Sequence, residues 1–160
     1  MIRKITPFLW FDNQALEAAK FYVSVFEHSK IEDTTVTDPK NADYSGVEVG
    51  EPMSVSFELD GQAFIALNGG PYFKFTPAIS FYVNCADQQE VDTLWEKLSV
   101  KGEPGQCGWL TDQFGVSWQI VPRILPQLLN QPDPIKAQKV MDAMLTMTKL
   151  DIAALISAGQ

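Results

Sequence analysis

The sequence has little with which to hold a metal or to staple a fold: two cysteines and one histidine in 160 residues. Cys85 and Cys107 form no C-x-x-C pair, so neither a disulfide framework nor a zinc site can be read from them. Both are expected as reduced, mostly buried thiols. His28, the lone imidazole, falls at the end of a helical stretch, where positive charge complements the helix dipole. Basic side chains are also few, 12 against 20 acidic, and scattered along a chain of net charge -8. That balance repels a polyphosphate backbone, so no nucleic-acid partner is expected. Long apolar runs are missing as well. The opening ITPFLWF is broken at Asp12, which excludes a signal peptide or membrane span there and makes cytoplasmic residence the default expectation.

What is present is ordinary globular composition, 46% hydrophobic and 20% charged, in a chain long enough to bury a core without staples. Ile5 to Phe11 suits a strand, with Asp12 and Asn13 offering capping oxygens to a helix that starts at Ala15. Leu16, Ala19, Tyr22, Val25 and Phe26 recur at helical spacing. Ile31 to Thr37 is β-branched and reads as a strand, and the polar stretch from Asp38 to Asp43 as a mobile loop. MSVSFEL, from Met53 to Leu59, alternates as a half-buried strand does, and Asp60-Gly61 turns it into a partner from Gln62 to Leu67.

The second half repeats the order. Ala78 to Cys85 is a strand, Asp87 caps a helix whose core face holds Val91, Leu94 and Leu98, and Cys107–Thr111 and Val116–Pro122 are strands around a DQFG turn, with one strand short or lost. A proline-punctuated passage then leads to helical stretches around Val140 and from Asp151. The expected fold class is α+β, built of paired βαβββ modules, residues 1–69 and 70–125, with a C-terminal helical extension over 126–160. The seam from Gln62 to Cys85, rich in Gly, Pro and aromatics, is the expected wall of a pocket between the modules.

The wording of PFLWFDNQALEAAKFYVSVF, FIALNGGPYFKFTPAISFYVNC, VDTLWEKLS and QCGWLTDQFGVSWQIVP resembles the PhnB-like branch of the vicinal-oxygen-chelate superfamily, a branch labelled 3-demethylubiquinone-9 3-methyltransferase. The superfamily includes glyoxalases, extradiol dioxygenases and bleomycin-resistance proteins. The resemblance implies a curled mixed sheet per module, a small-molecule ligand and pairing as a homodimer. In metal-dependent members four ligands, mostly His and Glu, project from the first and last strands of each module. Matched strand to strand, those positions fall near Thr6, Asn68, Ser80 and Gln119, none of which is a histidine or carboxylate. Hydroxyls and carboxamides are neutral and leave a divalent charge uncompensated, so no bound metal is expected.

The same four residues are the candidate ligand-binding groups, joined by Trp10, Phe81 and Trp109 as aromatics that could stack on a planar molecule. The labelled methyl transfer would need S-adenosylmethionine, and the chain has no glycine-rich turn between a strand and a helix to receive it. No cofactor is expected. Asn68-Gly69-Gly70-Pro71 reads as a tight turn. Asp112, in its turn, and Glu58, on its alternating strand, are the remaining acidic candidates for a general base, and both read as solvated. The alternatives to a binding protein are that methyltransferase, a metal-dependent lyase or dioxygenase, and a protein that sequesters its ligand without turnover.

Overall fold

The computed structural model describes residues 4–160 and divides into two units, the first ending at Phe75 and the second running from Thr76 to Gln160. The boundary lies six residues beyond that expected after residue 69, because the NGGPYF segment packs back on Trp10 of the first unit.

The first unit contains strand β1 (Phe8–Phe11), helix α1 (Ala15–Val25), strand β2 (Lys30–Val36), helix α2 (Pro39–Ser45), strand β3 (Pro52–Leu59) and strand β4 (Gln62–Asn68). Its sheet has the order β1-β4-β3-β2, with β1 parallel to β4 and the other pairs antiparallel. The tight connection between β3 and β4 has positive φ at both Asp60 and Gly61, as a two-residue hairpin requires. One sheet face is covered by α1. Its buried residues Ala15, Ala18, Ala19, Tyr22 and Val25 include three alanines, small enough for close approach to the sheet. Tyr22 lies against Phe57, which stacks on Phe64 with centroids 5.3 Å apart.

Two local expectations are corrected. The stretch after Asp38 is a helix, because Asp38 accepts from the Asn41 amide at 2.8 Å, Pro39 occupies the first turn, and Gly46 closes the end with φ of 71°. The cap of α1 does not come from Asp12 or Asn13. Oδ1 of Asn68, at the end of β4, accepts from the Ala15 amide at 2.8 Å.

The second unit contains β5 (Ser80–Cys85), α3 (Gln88–Ser99), β6 (Glu103–Pro104), β7 (Trp109–Thr111), β8 (Ser117–Pro122) and helices α4 (Leu125–Leu129), α5 (Pro134–Leu145) and α6 (Ile152–Ala158). The strand order β5-β8-β7-β6 repeats the topology of the first unit, again with the first and last strands parallel. The strand that seemed short or lost is β6, two residues long. Asp87 caps α3 by accepting from the Glu90 amide at 2.9 Å, and Val91, Leu94 and Leu98 are buried.

The C-terminal helices belong to this unit. Val121 at the end of β8 joins Leu125, Val140, Leu150 and Leu155 in one buried cluster. Gln88 anchors the passage before α6 from both ends of its carboxamide, donating to the Leu150 carbonyl at 3.0 Å and accepting from the Ile152 amide at 2.8 Å. Gly108, with φ of 83°, donates its amide to the Thr148 carbonyl at 2.7 Å, and a Cβ there would meet the Ile120 carbonyl oxygen. Among the described residues no helix is long and apolar enough to cross a membrane.

Candidate functional site

Successive side chains of a strand point to opposite faces, so register decides which candidates can meet. In β5 and β8 the partners are Ser80 with Ser117, Phe81 with Trp118 and Tyr82 with Gln119. On the other side of β8, Trp109 of β7 lies opposite Gln119 and Leu110 opposite Trp118. Buried Leu110, Trp118 and Ile120 therefore share the face packed by α3, and Ser80, Tyr82, Gln119 and Trp109 share the opposite face.

On that opposite face Nε2 of Gln119 donates to Oγ of Ser80 at 2.9 Å. Ser80, Gln119 and Trp109 are half-buried, and Tyr82 is 46% exposed. Partial burial, followed by the nearby Cys85 thiol, raises the pKa of the Tyr82 phenol, so it remains a neutral hydroxyl. Three of the sequence-selected residues are thus brought together with one that the selection missed. Phe81 falls on the other face, its ring 5.3 Å from that of Trp118. Once Ser80 and Gln119 are set on one face, the period of two selects Tyr82, and this was the available signal.

The candidates of the first unit form a different arrangement. Trp10 donates its indole N–H to the Gly70 carbonyl at 3.0 Å and meets Phe73 edge-on at 5.0 Å. A Cβ on Gly69 would overlap the ring carbons of Trp10, so glycine here is a matter of space. The glycine cluster holds this tryptophan and continues into a loop instead of a helix. Thr6 is half-buried just before β1. Asn68 is buried, and besides capping α1 it donates Nδ2 to the Pro52 carbonyl at 2.9 Å.

Register also revises the strand matching. Phe11 pairs with Asn68 and Cys85 with Pro122 at the corresponding strand ends, so Asn68 corresponds to Pro122, and the counterpart of Gln119 is Ile65, three residues before Asn68.

These residues do not fit a divalent transition metal. Ser80 and Gln119 are neutral and bonded to each other, and both ends of the Asn68 carboxamide are engaged by backbone. Among the described residues no three His, Cys, Asp or Glu side chains gather where they could hold an ion. Asp112, expected in solvent, is buried. Its carboxylate accepts from the amides of Phe114 and Val116 and from the Trp118 indole. Glu58 lies opposite Lys30, whose pKa is raised first by its bond to Glu32 and also by the charge of Glu58.

A separate cleft of about 780 Å³ lies at the carboxyl ends of β5 and β8, lined by Asp87, Arg123, Ile124, Asp151 and Ile156 among others. None of the sequence-selected residues lines it. Its polar lining is largely committed to structure, with Asp87 and Asp151 capping helices and Gln88 tied to backbone.

Residues 3–121 match the family described as 3-demethylubiquinone-9 3-methyltransferase. A PhnB protein from Bacillus cereus bearing the same label is 36% identical, with a TM-score of 0.64 over 73% of this chain and 97% of its own. Protein PA1353 from Pseudomonas aeruginosa is similar in fold at 22% identity, with a TM-score of 0.60 over 73% of this chain and 95% of its own. A glyoxylase/bleomycin resistance protein/dioxygenase domain from Frankia sp. aligns at 12% identity, with a TM-score of 0.43 over 74% of this chain and 90% of its own. No curated protein matches the chain. The family match spans most of the sequence and the PhnB protein shares its fold: the chain belongs to the PhnB-like, 3-demethylubiquinone-9 3-methyltransferase family.

Proposed function

We propose that the protein binds a small organic molecule on the face of the second unit's sheet that carries Ser80, Tyr82, Trp109 and Gln119, and that it does so without a catalytic metal. The observation that carries this reading is the Gln119–Ser80 hydrogen bond. Ser80 and Gln119, near positions where the resemblance implies ligands in metal-dependent members, are here a neutral hydrogen-bonding pair, flanked by aromatic rings suited to apolar or planar surface. The family label names a methyl transfer, but a shared fold and label do not carry a reaction to a particular chain. Cytoplasmic residence and assembly as a homodimer complete the proposal. The free thiols Cys85 and Cys107 support the first, and exposed apolar side chains such as Phe8, Val36 and Tyr44 support the second.

Protein purified without chelator and analysed for metals tests the metal-free part. Substoichiometric iron, zinc, nickel and manganese are expected, and near-stoichiometric metal lost on Gln119→Ala overturns it. Crystals of protein taken directly from cells test the binding part, with ligand density expected against Ser80 and Gln119. Saturable micromolar binding of S-adenosylmethionine by calorimetry would instead support the labelled transfer.

A further inference from the structure

We infer that the passage from Met147 to Leu150, between α5 and α6, positions Trp109 on the proposed binding face, and that Gln88 of α3 is the residue that holds the passage in place. This rests on the reading of that face given above and names what sets its geometry from outside it.

Trp109 begins β7 directly after a strained turn. Its amide donates to the Gln106 carbonyl at 3.0 Å, and the two central residues of the turn, Cys107 and Gly108, have φ of 56° and 83°. Positive φ at both centres suits glycine, whereas cysteine at the first is held against its steric preference. The two central amides lie outside the turn's own bond and need acceptors elsewhere. Both find them on one segment: Cys107 donates to the Met147 carbonyl at 2.8 Å and Gly108 to the Thr148 carbonyl at 2.7 Å. A left-handed conformation at a residue other than glycine persists where its surroundings over-determine it, and here consecutive carbonyls of a distant segment do so.

The passage is itself tied down from α3. Gln88 donates Nε2 to the Leu150 carbonyl and accepts from the Ile152 amide through Oε1, and Lys149 pairs with Asp92 one turn further along the helix. The Leu150 side chain is fully buried, and a Cβ on Gly108 would lie 3.1 Å from its Cδ1. The carbonyls of Met147 and Thr148 thus hold the turn, while Lys149 and Leu150 bind the passage to α3, so a displacement of the passage reaches Cys107 and Gly108 directly. Trp109 is the next residue, and it stands opposite Gln119 on the ligand face. A ring already fixed there spares a ligand the cost of ordering it. The passage lies beyond residues 3–121, which match the family, so this support comes from the C-terminal extension.

Fluorine NMR of protein labelled with 5-fluorotryptophan tests this, because each of the four tryptophans gives its own resonance and Trp109→Phe assigns that of Trp109. Gln88→Leu removes both bonds to the passage without changing charge. It should shift or broaden the Trp109 resonance and leave that of Trp10 unchanged. Hydrogen exchange at the Cys107 and Gly108 amides should become about tenfold faster or more, while Leu94 and Leu98 inside α3 exchange as before. Lys149→Ala, which removes the exposed ion pair, should move the same signals in the same direction by less. An unchanged Trp109 resonance with unchanged exchange overturns the inference. Equal loosening of all four resonances and of α3 also overturns it, since that is the signature of a residue needed only for stability. Native mass spectrometry of protein taken directly from cells judges the face separately. A bound molecule retained by the parent protein and lost from Gln88→Leu supports the inference, and equal retention with the Trp109 resonance displaced overturns the role of this positioning in binding. No bound molecule in either protein counts against the reading of the face alone, and the resonance still decides whether the passage positions Trp109.

Discussion

The indole N–H of Trp118 donates to Oδ2 of Asp112 at 2.8 Å, and Oδ1 of the same carboxylate accepts from the amides of Phe114 and Val116 at 2.8 and 3.1 Å. A turn of sequence DQFG is thereby closed around a buried anion that accepts three hydrogen bonds and fixes the tryptophan opposite Phe81. Asp112→Asn replaces one acceptor by an NH₂ that cannot receive a donor, and leaving a buried donor unpaired costs about 1–3 kcal/mol. Asp112→Ala should cost more, because the turn loses all three bonds. Urea unfolding should show both losses. Trp118→Phe should cost less in an Asp112→Ala background than alone, where its partner is already gone.

Gly69→Ala should displace Trp10. Space alone forbids the methyl group, which would overlap a rigid indole already held by the Gly70 carbonyl and the edge of Phe73. Overpacking of this kind costs about 1–3 kcal/mol. Tryptophan emission should shift to longer wavelength with the loss of stability, and a Trp10→Phe background should abolish the shift. An unchanged spectrum and midpoint would show that the contact is not tight.

Local signals were legible where the residue that makes an element also lies inside it. The alanine and aromatic spacing of α1, the caps Asp87 and Asp151, and the Asp60-Gly61 turn all act within a few residues, and each stands where the sequence puts it. Asn68 was not legible as a cap because its partner Ala15 is 53 residues away, and only parallel pairing of β1 with β4 brings them together. Asp112 reads as a solvated turn residue until Trp118 folds over it. Ser80 and Gln119 were selected by strand matching and Trp109 as an aromatic, and the register sets all three on one face. Phe81 lies on the opposite face, beside Trp118, because one residue along a strand is a change of face.

The two cysteines should separate under alkylation. Burial, then the charge of Glu90, pushes the Cys85 thiol up to about 12, and the side chain is fully enclosed. Only thiolate reacts, so Cys85 should stay unmodified by iodoacetamide at pH 8.5 in the native protein. Cys107 is half-buried in a loop with φ of 56°, and is the site expected to react. Mass spectrometry should find at most one adduct in native protein, at Cys107, and two after unfolding. Modification of Cys85 without unfolding would show that the end of β5 opens.

The attachment of the C-terminal segment should weaken in acid. Nζ of Lys149 lies 2.6 Å from Oδ1 of Asp92 on α3, and the Asp92 pKa is lowered from 3.8 first by this bond and then by that from Gln88. A carboxyl group with a depressed folded-state pKa contributes stability that is present above its unfolded value and lost as pH falls through the folded one. The contribution should therefore be complete at pH 5 and decline below about pH 4. With the two side chains 40% and 48% exposed, solvent screening holds the pair to less than about 1 kcal/mol. Asp92→Asn should lower the urea midpoint slightly at pH 6 and leave a smaller difference from the parent protein at pH 3. At pH 6, added salt should also narrow the difference, since it screens an exposed pair. A difference that is constant across this pH range would show that Asp92 contributes through its bond to Gln88, which an asparagine can retain, and not through its charge.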